Sequence, residues 1–195
     1  MALIRLYMTM SLDGYVTGPH DSVDAPMGIG GFRLFNWLDR RNDRGPSGQV
    51  FTELMSTRAV IAGRRTYELA GRWQGDHHDG VPVFVLTHDV PDGPPPGSVR
   101  YVTDVRECAA QARAAAGDGD VMVHGAGAAQ ALLRAGQLDE LELHVVPVLL
   151  GQGQRLFDHL PAEHIELNLV RRLTTPEVEE LAQHVTHLRY RVRRP

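Results

Sequence analysis

Two short apolar runs in this chain end in glycine and lead straight into helix-forming sequence. Ala59-Val60-Ile61-Ala62 runs into Gly63-Arg64-Arg65-Thr66, and Val121-Met122-Val123-His124 runs into Gly125-Ala126-Gly127-Ala128-Ala129. Strand, glycine turn and helix in succession are the unit from which parallel sheets are built, because parallel neighbours need a crossover between them. Other segments read as strands. Ile4, Leu6, Met8 and Met10 alternate with polar neighbours, Val83-Phe84-Val85-Leu86 is a short apolar run, and a longer one spans Leu141 to Leu150. Helical faces lie between them: Leu34, Trp37, Leu38 and Arg41 make one, and Val105, Cys108, Ala109 and Ala112 another. Ala129, Leu132 and Leu133 make a third. Near the end, Ile165 to Leu173 and His184 to Val192 read as an antiparallel pair. The expected fold is α/β, a mixed and mostly parallel sheet with flanking helices and an antiparallel C-terminal edge.

The 195 residues suit a single domain spanning 1–195, with no internal repeat and no linker. Loops are expected at Gly18 to Gly31, Gly71 to Gly80 and Pro91 to Gly97, each rich in Gly, Pro and Asp. No apolar run approaches the roughly 20 residues of a membrane span, and the first ten residues lack a signal-peptide core, so a cytoplasmic protein is expected. A lone Cys108 in an alanine-rich helix reads as a small buried residue. The formal charge of −4 argues against a nucleic-acid binder. The basic tail Arg189 to Arg194 alternates as a strand with one solvated, charged face would. Lysine is absent from the chain, which removes Schiff-base chemistry. No metal site is expected: Asp76-His77-His78-Asp79 reads as a solvated loop, and His184 and His187 fall on opposite faces of a strand.

The candidate chemistry lies at the turns. In Gly63-Arg64-Arg65-Thr66-Tyr67-Glu68, two arginines stand at a helix start, the wrong end of the helix dipole for a cation. A bound phosphate would neutralise them; pairing with Glu68 or other carboxylates is the alternative. The turn at Gly125 offers a second amide-lined anion site, although Gln130 stands where a dinucleotide fingerprint has its third small residue. Two such turns in one sheet favour a dinucleotide over a single phosphate. Ser11-Leu12-Asp13-Gly14-Tyr15-Val16-Thr17-Gly18 carries an Asp-Gly turn after the first strand.

In order and spacing these stretches resemble the dihydrofolate-reductase-like family, in its branch similar to the C-terminal reductase domain of bacterial riboflavin biosynthesis. The likeness continues through Leu138-Asp139-Glu140-Leu141 and Val146-Pro147-Val148-Leu149-Leu150-Gly151-Gln152-Gly153. It implies an NADPH-dependent reductase passing a hydride to a small pterin-, pyrimidine- or flavin-like heterocycle. By the same resemblance Gly63, Arg64, Arg65 and Thr66 hold the NADPH phosphates, and Thr87 and His88 meet the adenosine end. Gly125, Ala126, Gly127 and Ala128, with Gln130 behind them, meet the pyrophosphate and nicotinamide, and Val16 and Thr17 lie beside the nicotinamide. On the substrate side Asp13 is the expected polar anchor and Trp37 the stacking surface, with ordinary core packing the alternative for Trp37; no proton donor is identified. Many relatives have Gly-Gly where this chain has Gly125-Ala126. The helix around Leu34 has no inward acid of the kind that orients a pterin, since Asp39 projects away. The deaminase motifs Cys-x-x-Cys and His-x-Glu are missing. The rival function is a non-catalytic module that binds NADPH or another small ligand. A homodimer is expected, as in relatives, with support from the Leu143 to Leu150 run, apolar on both faces.

Overall fold

In the computed structural model, residues 2–158, 160, 164–175 and 184–193 are described. Their apolar runs become strands of one eight-stranded sheet: β1(Ile4–Ser11), β2(Ala59–Gly63), β3(Val83–Leu86), β4(Val99–Val102), β5(Val121–His124), β6(Glu140–Val146), β7(Leu167–Thr174) and β8(Thr186–Val192). The order is β4-β3-β2-β5-β1-β6-β8-β7. Pairing is parallel from β4 through β6 and antiparallel from β6 through β8 to β7. The helices are α1(Pro46–Met55), α2(Arg64–Leu69), α3(Val105–Ala116) and α4(Ala126–Arg134). Gly31–Arg40 is a 3-10 helix, so its buried stripe repeats every three residues at Gly31, Leu34 and Trp37 and leaves Leu38 and Arg41 off it. β6 stops at Val146 because Pro147 has no N–H for the ladder. The rest of the apolar run is loop, with Leu149 exposed.

Alternation along the strands separates two cores. Ile4, Leu6, Ile61, Val121, Val123, Leu141 and Leu143 face the alanine-rich sides of α3 and α4, where Cys108 is fully buried. Tyr7, Val60, Ala62 and Met122 face the other way and pack with Tyr67 of α2. Further along that second face the strands carry charge. Glu140 and Glu142 of β6 are buried. Arg5 bonds Glu140 at 2.9 Å and Arg191 bonds it at 3.0 Å. Arg171 reaches Glu53 at 2.6 Å and Glu142 at 3.2 Å, while Arg189 pairs with both carboxylates. Of the charged face expected to be solvated on β8, Arg189 is folded inward against acids of β6 and α1, while Arg191 and Arg193 are exposed as expected; Arg194 lies outside the described residues. β6 is covered on both faces by its own chain, which accounts for its apolar residues without a partner.

Histidines fill the remainder of this face. His144 and His187 are register partners on β6 and β8, both buried, with Nδ1 atoms 2.9 Å apart. His78 is buried against the Thr57 carbonyl, and its neighbour His77 lies over His124 with ring centroids 5.1 Å apart. The expectation of a solvated loop at Asp76-His77-His78-Asp79 thus fails for both histidines, because aromatic and carbonyl partners lie within reach of the turn.

The two glycine turns press against each other because β2 and β5 are adjacent. A Cβ at Gly63 would lie 3.4 Å from the Ala128 nitrogen. Gly125 has φ +94°, and a Cβ there would lie 2.2 Å from the Thr66 hydroxyl oxygen. Glycine is required at 125 both by the backbone region and by the space. Ala126 opens α4 with its methyl in the core.

Gly125→Ala should lower stability by about 2 kcal/mol or more, read from the urea midpoint. Gly127→Ala, whose Cβ meets nothing within 4 Å, should leave stability equal or raise it by up to about 1 kcal/mol. Burial lowers His77 to about 3 and His124 and His187 to about 4, from an ordinary 6.5. Below pH 6.5 the unfolded chain takes up protons that the folded chain refuses, so stability falls as pH drops. Each such histidine should remove about 1–2 kcal/mol between pH 7 and 5, and a flat urea midpoint over that range would contradict their buried placement. A further loss should follow between pH 4.5 and about 2. There burial acts to raise the Glu53 carboxyl, but hydrogen bonds from Arg171 and Arg189 outweigh it and hold the group at about 2.

Candidate functional site

Beyond the C-terminal ends of the parallel strands, where α/β sheets bind ligands, two cavities open on either side of the paired glycine turns. The larger, about 790 Å3, is lined by Gly63, Arg64, Arg65 and Thr66 from the β2–α2 turn. Thr87 and His88 after β3, and Gly127, Ala128 and Gln130 of α4, complete the expected set on its wall. Arg134, Asp89 and Asp104 also line it and were not anticipated. Val16, Thr17, Gly125 and Ala126 line the second cavity, of about 480 Å3. Thr66 and Gln154 belong to both walls, so the thirteen residues expected around one extended ligand surround two spaces that share a border.

The arginines of the first cavity already have partners. Arg64 Nε donates to Glu68 at 2.9 Å and its Nη1 to the Asp89 carbonyl at 3.0 Å. Arg65 Nη2 donates to the Asp21 carboxylate at 2.7 Å. Carboxylate pairing is therefore how this structure neutralises the helix start, and an incoming anion would exchange for those acids. Both guanidinium groups are substantially exposed, with side chains 39% and 57% accessible, so the exchange involves weak, solvated pairs. Gln130 is buried, its Nε2 donating to the Leu156 carbonyl at 2.9 Å, which ties α4 to the loop after β6.

The second cavity is different in kind. Its walls hold Trp37, Trp73, Phe32, Phe35, Met27 and Leu38, and no Asp, Glu or Arg lines it among the described residues. Its polar atoms come from Tyr7, Thr9, Thr17, Thr66, Gln154 and three histidines, His77, His124 and His144. Burial keeps all three neutral. His124 Nδ1 lies 3.1 Å from the Tyr7 carbonyl, and the carbonyl can only accept, so Nδ1 carries the hydrogen. Trp73 is held by a left-handed turn in which Arg72, Trp73 and Gln74 all have φ between 44° and 56°. Each such residue costs about 1–2 kcal/mol. Edge contacts of Trp73 with Tyr67 at 5.6 Å and His77 at 4.7 Å hold the turn in place.

Of the two expected substrate residues, Trp37 lines this cavity and Asp13 does not. Trp37 is 2% exposed and donates from Nε1 to Thr9 at 3.1 Å, so it is at once core and wall. Asp13 lines neither cavity. Its carboxylate accepts from the Ser11 hydroxyl at 2.5 Å and from the amides of Gly151 at 2.8 Å and Leu150 at 3.2 Å. Those hydrogen bonds, Ser11 first, keep it below the ordinary range and staple the first turn to the loop after β6. The absence of an inward acid near Leu34 agrees with the wall: Asp39 is exposed. Gln154, Thr9 and the histidines escaped sequence reading because each sits in a segment that reads as plain strand or loop.

Among curated proteins no sequence match was found. In fold, the chain is similar to a riboflavin biosynthesis protein from Shewanella sp. PV-4, at 23% identity and TM-score 0.69 over 100% of both chains. A dihydrofolate reductase from Enterococcus faecalis complexed with NADP(H) and RAB-propyl is similar at 16% identity and TM-score 0.64, over 97% of this chain and 96% of that one. A pyrimidine reductase-like protein from Corynebacterium diphtheriae is similar at 14% identity and TM-score 0.66, over 100% and 93%. The fold is accordingly of the dihydrofolate-reductase type. The model of the family described as RibD C-terminal domain matches residues 2–185, nearly the whole chain, and by that match this protein belongs to the RibD C-terminal domain family.

Proposed function

We propose that the protein is an NADPH-dependent reductase that transfers a hydride to a small, uncharged heterocycle. The observation that carries this reading is the shared border of the two cavities at Thr66 and Gln154. An extended dinucleotide laid through the first cavity would bring one end to that border. In the first cavity Arg64 and Arg65 suit a 2′-phosphate, which arginine grips better than a point charge would. Thr87 and His88 flank the adenosine, and the first amides of α4 face the pyrophosphate. The nicotinamide would then lie against Val16, Thr17, Gly125 and Ala126, with its reactive face toward the aromatic cavity and Trp37. Family membership and the NADP(H) complex of the Enterococcus relative support the cofactor. The hydride chemistry belongs to the nicotinamide; the chain supplies position and a water-poor, uncharged space. Among the described residues no carboxylate that could protonate a pterin lines the wall, which argues against dihydrofolate as the substrate.

Isothermal calorimetry should show NADPH binding more tightly than NADH. Arg65→Ala should weaken NADPH about tenfold, or about 1.4 kcal/mol, while changing NADH by less than about twofold. Equal affinity for the two cofactors in the native protein would remove the 2′-phosphate assignment. Gly127→Ala, neutral for folding, should nonetheless weaken NADPH because its methyl enters the first cavity. With dihydrofolate, NADPH consumption should stay far below an ordinary turnover of about 10 per second. A rate near that figure would show that an acid outside the cavity wall serves the pterin. NADPH binding without turnover of any heterocycle would favour the non-catalytic module.

A further inference from the structure

Thr66 and Gln154 stand on the walls of both cavities, and they differ in what their side chains have left to offer. Thr66 has its hydroxyl packed against Gly125. Gln154 has a backbone that is fully engaged. Its N–H donates to the Thr17 hydroxyl oxygen at 3.2 Å, and its carbonyl accepts from the Val16 N–H at 2.8 Å. The loop around it is held as firmly. The amides of Leu150 and Gly151 donate to Asp13, the Leu156 amide donates to the Gly14 carbonyl at 2.9 Å, and Gln130 of α4 donates to the Leu156 carbonyl. At Gly153, where φ is +132°, a Cβ would come within 1.9 Å of the Thr17 carbonyl oxygen, so the two loops touch backbone to backbone. Gln154 is thereby fixed beside Val16 and Thr17 before any ligand arrives.

Alternation along the chain sets where its side chain goes. Tyr15 and Arg155 form an antiparallel bridge. Arg155 turns outward, its guanidinium 4.6 Å from the centroid of the Tyr15 ring and donating to the Tyr15 hydroxyl at 2.9 Å. In extended chain the residues on either side of Arg155 point the opposite way. Leu156 does so and is fully buried in the core shared with α4. Gln154 takes the same inward side, half-buried, where both cavities open. Its side-chain amide makes no hydrogen bond among the described residues, and neither of its polar atoms is buried. An uncharged amide that both donates and accepts suits a neutral partner that does the same. The nicotinamide assigned to Val16 and Thr17 would lie against the two residues that hold the Gln154 backbone. That ring carries one polar group, a carboxamide, whose N–H2 and C=O complement the glutamine.

We propose that the Gln154 side-chain amide pairs with the carboxamide of the nicotinamide, Oε1 accepting from its N–H2 and Nε2 donating to its C=O, and so fixes which face of the ring meets the aromatic cavity. This assignment rests on the reductase reading of the same site. Three probes test it in the full-length protein by calorimetry. They are NADP+, its 3-acetylpyridine analogue, in which a methyl ketone that cannot donate replaces the carboxamide, and 2′-phospho-ADP-ribose, which has no nicotinamide. The native protein should bind NADP+ about fivefold or more tighter than the acetylpyridine analogue, because the bond to Oε1 is lost. Gln154→Met, close in size but without the amide, should bind those two ligands within about twofold of each other, and Gln154→Leu should do the same. 2′-Phospho-ADP-ribose should bind the native protein and both variants alike, which a merely structural role for Gln154 would not allow. A native protein without the preference, a preference kept in the variants, or 2′-phospho-ADP-ribose weakened as much as NADP+ would each overturn the assignment. A native protein that binds neither NADP+ nor 2′-phospho-ADP-ribose would overturn the reductase reading, and this assignment with it.

Discussion

Everything at the site depends on the close approach of two strand-to-helix turns. β2 and β5 are adjacent and parallel, so the chain leaves both at the same edge of the sheet, and α2 and α4 start side by side. Only glycine at 125 lets the turns come this close, since a Cβ there would overlap Thr66, whereas one at 63 would make ordinary contact with Ala128. That contact builds the partition between the two cavities. A side chain added at 125 would push Thr66 away, and Thr66 is one of the two residues through which the cavities share a border.

Charge is sorted around that partition. The cavity on the α4 side has exposed arginines held by exchangeable carboxylate pairs, a suitable reception for an anion. On the other side, the charged side chains behind the wall are spent on one another: Glu142 is fully buried with Arg171 and Arg189, and Glu140 is shared by Arg5 and Arg191. Buried ion pairs add little to stability once desolvation is counted, and removing one partner is costly because it strands the other. Their effect here is to hold β6, β7 and β8 in register with α1 while leaving the aromatic cavity free of charge. Neutral histidines then provide the polar atoms of that cavity.

Strain is concentrated at the same place. The left-handed turn that carries Trp73 would relax in a free peptide, and it persists because the indole is wedged between Tyr67 and His77. The aromatic wall and the strained backbone support each other. Trp37 plays the equivalent part on the opposite wall, held by Thr9, His144 and His187.

The sequence by itself determined the elements whose signal is local. Glycine after an apolar run marked β2–α2 and β5–α4, alternation marked β1, and the order of the motifs carried the family and the mixed sheet. α1 and β4 were not legible, since Pro46-Ser-Gly-Gln has a glycine in its first turn and Val99–Val102 is interrupted by Arg100, unlike the apolar runs of β3 and β5. At the site, the residues expected around the cofactor line the two cavities because they sit on turns, whose positions follow from the strands they end. The tertiary structure alone decided what faces them. Asp13 looked like a substrate anchor but closes a loop through contacts 137 and 138 residues away in sequence. Within the basic alternation of β8, Arg189 looked solvated but is matched by acids on β6 and α1. His144 and His187, 43 residues apart, meet only because β6 and β8 pair. In each case the partner is distant along the chain, and a side chain's role is settled by whichever group folding brings opposite it.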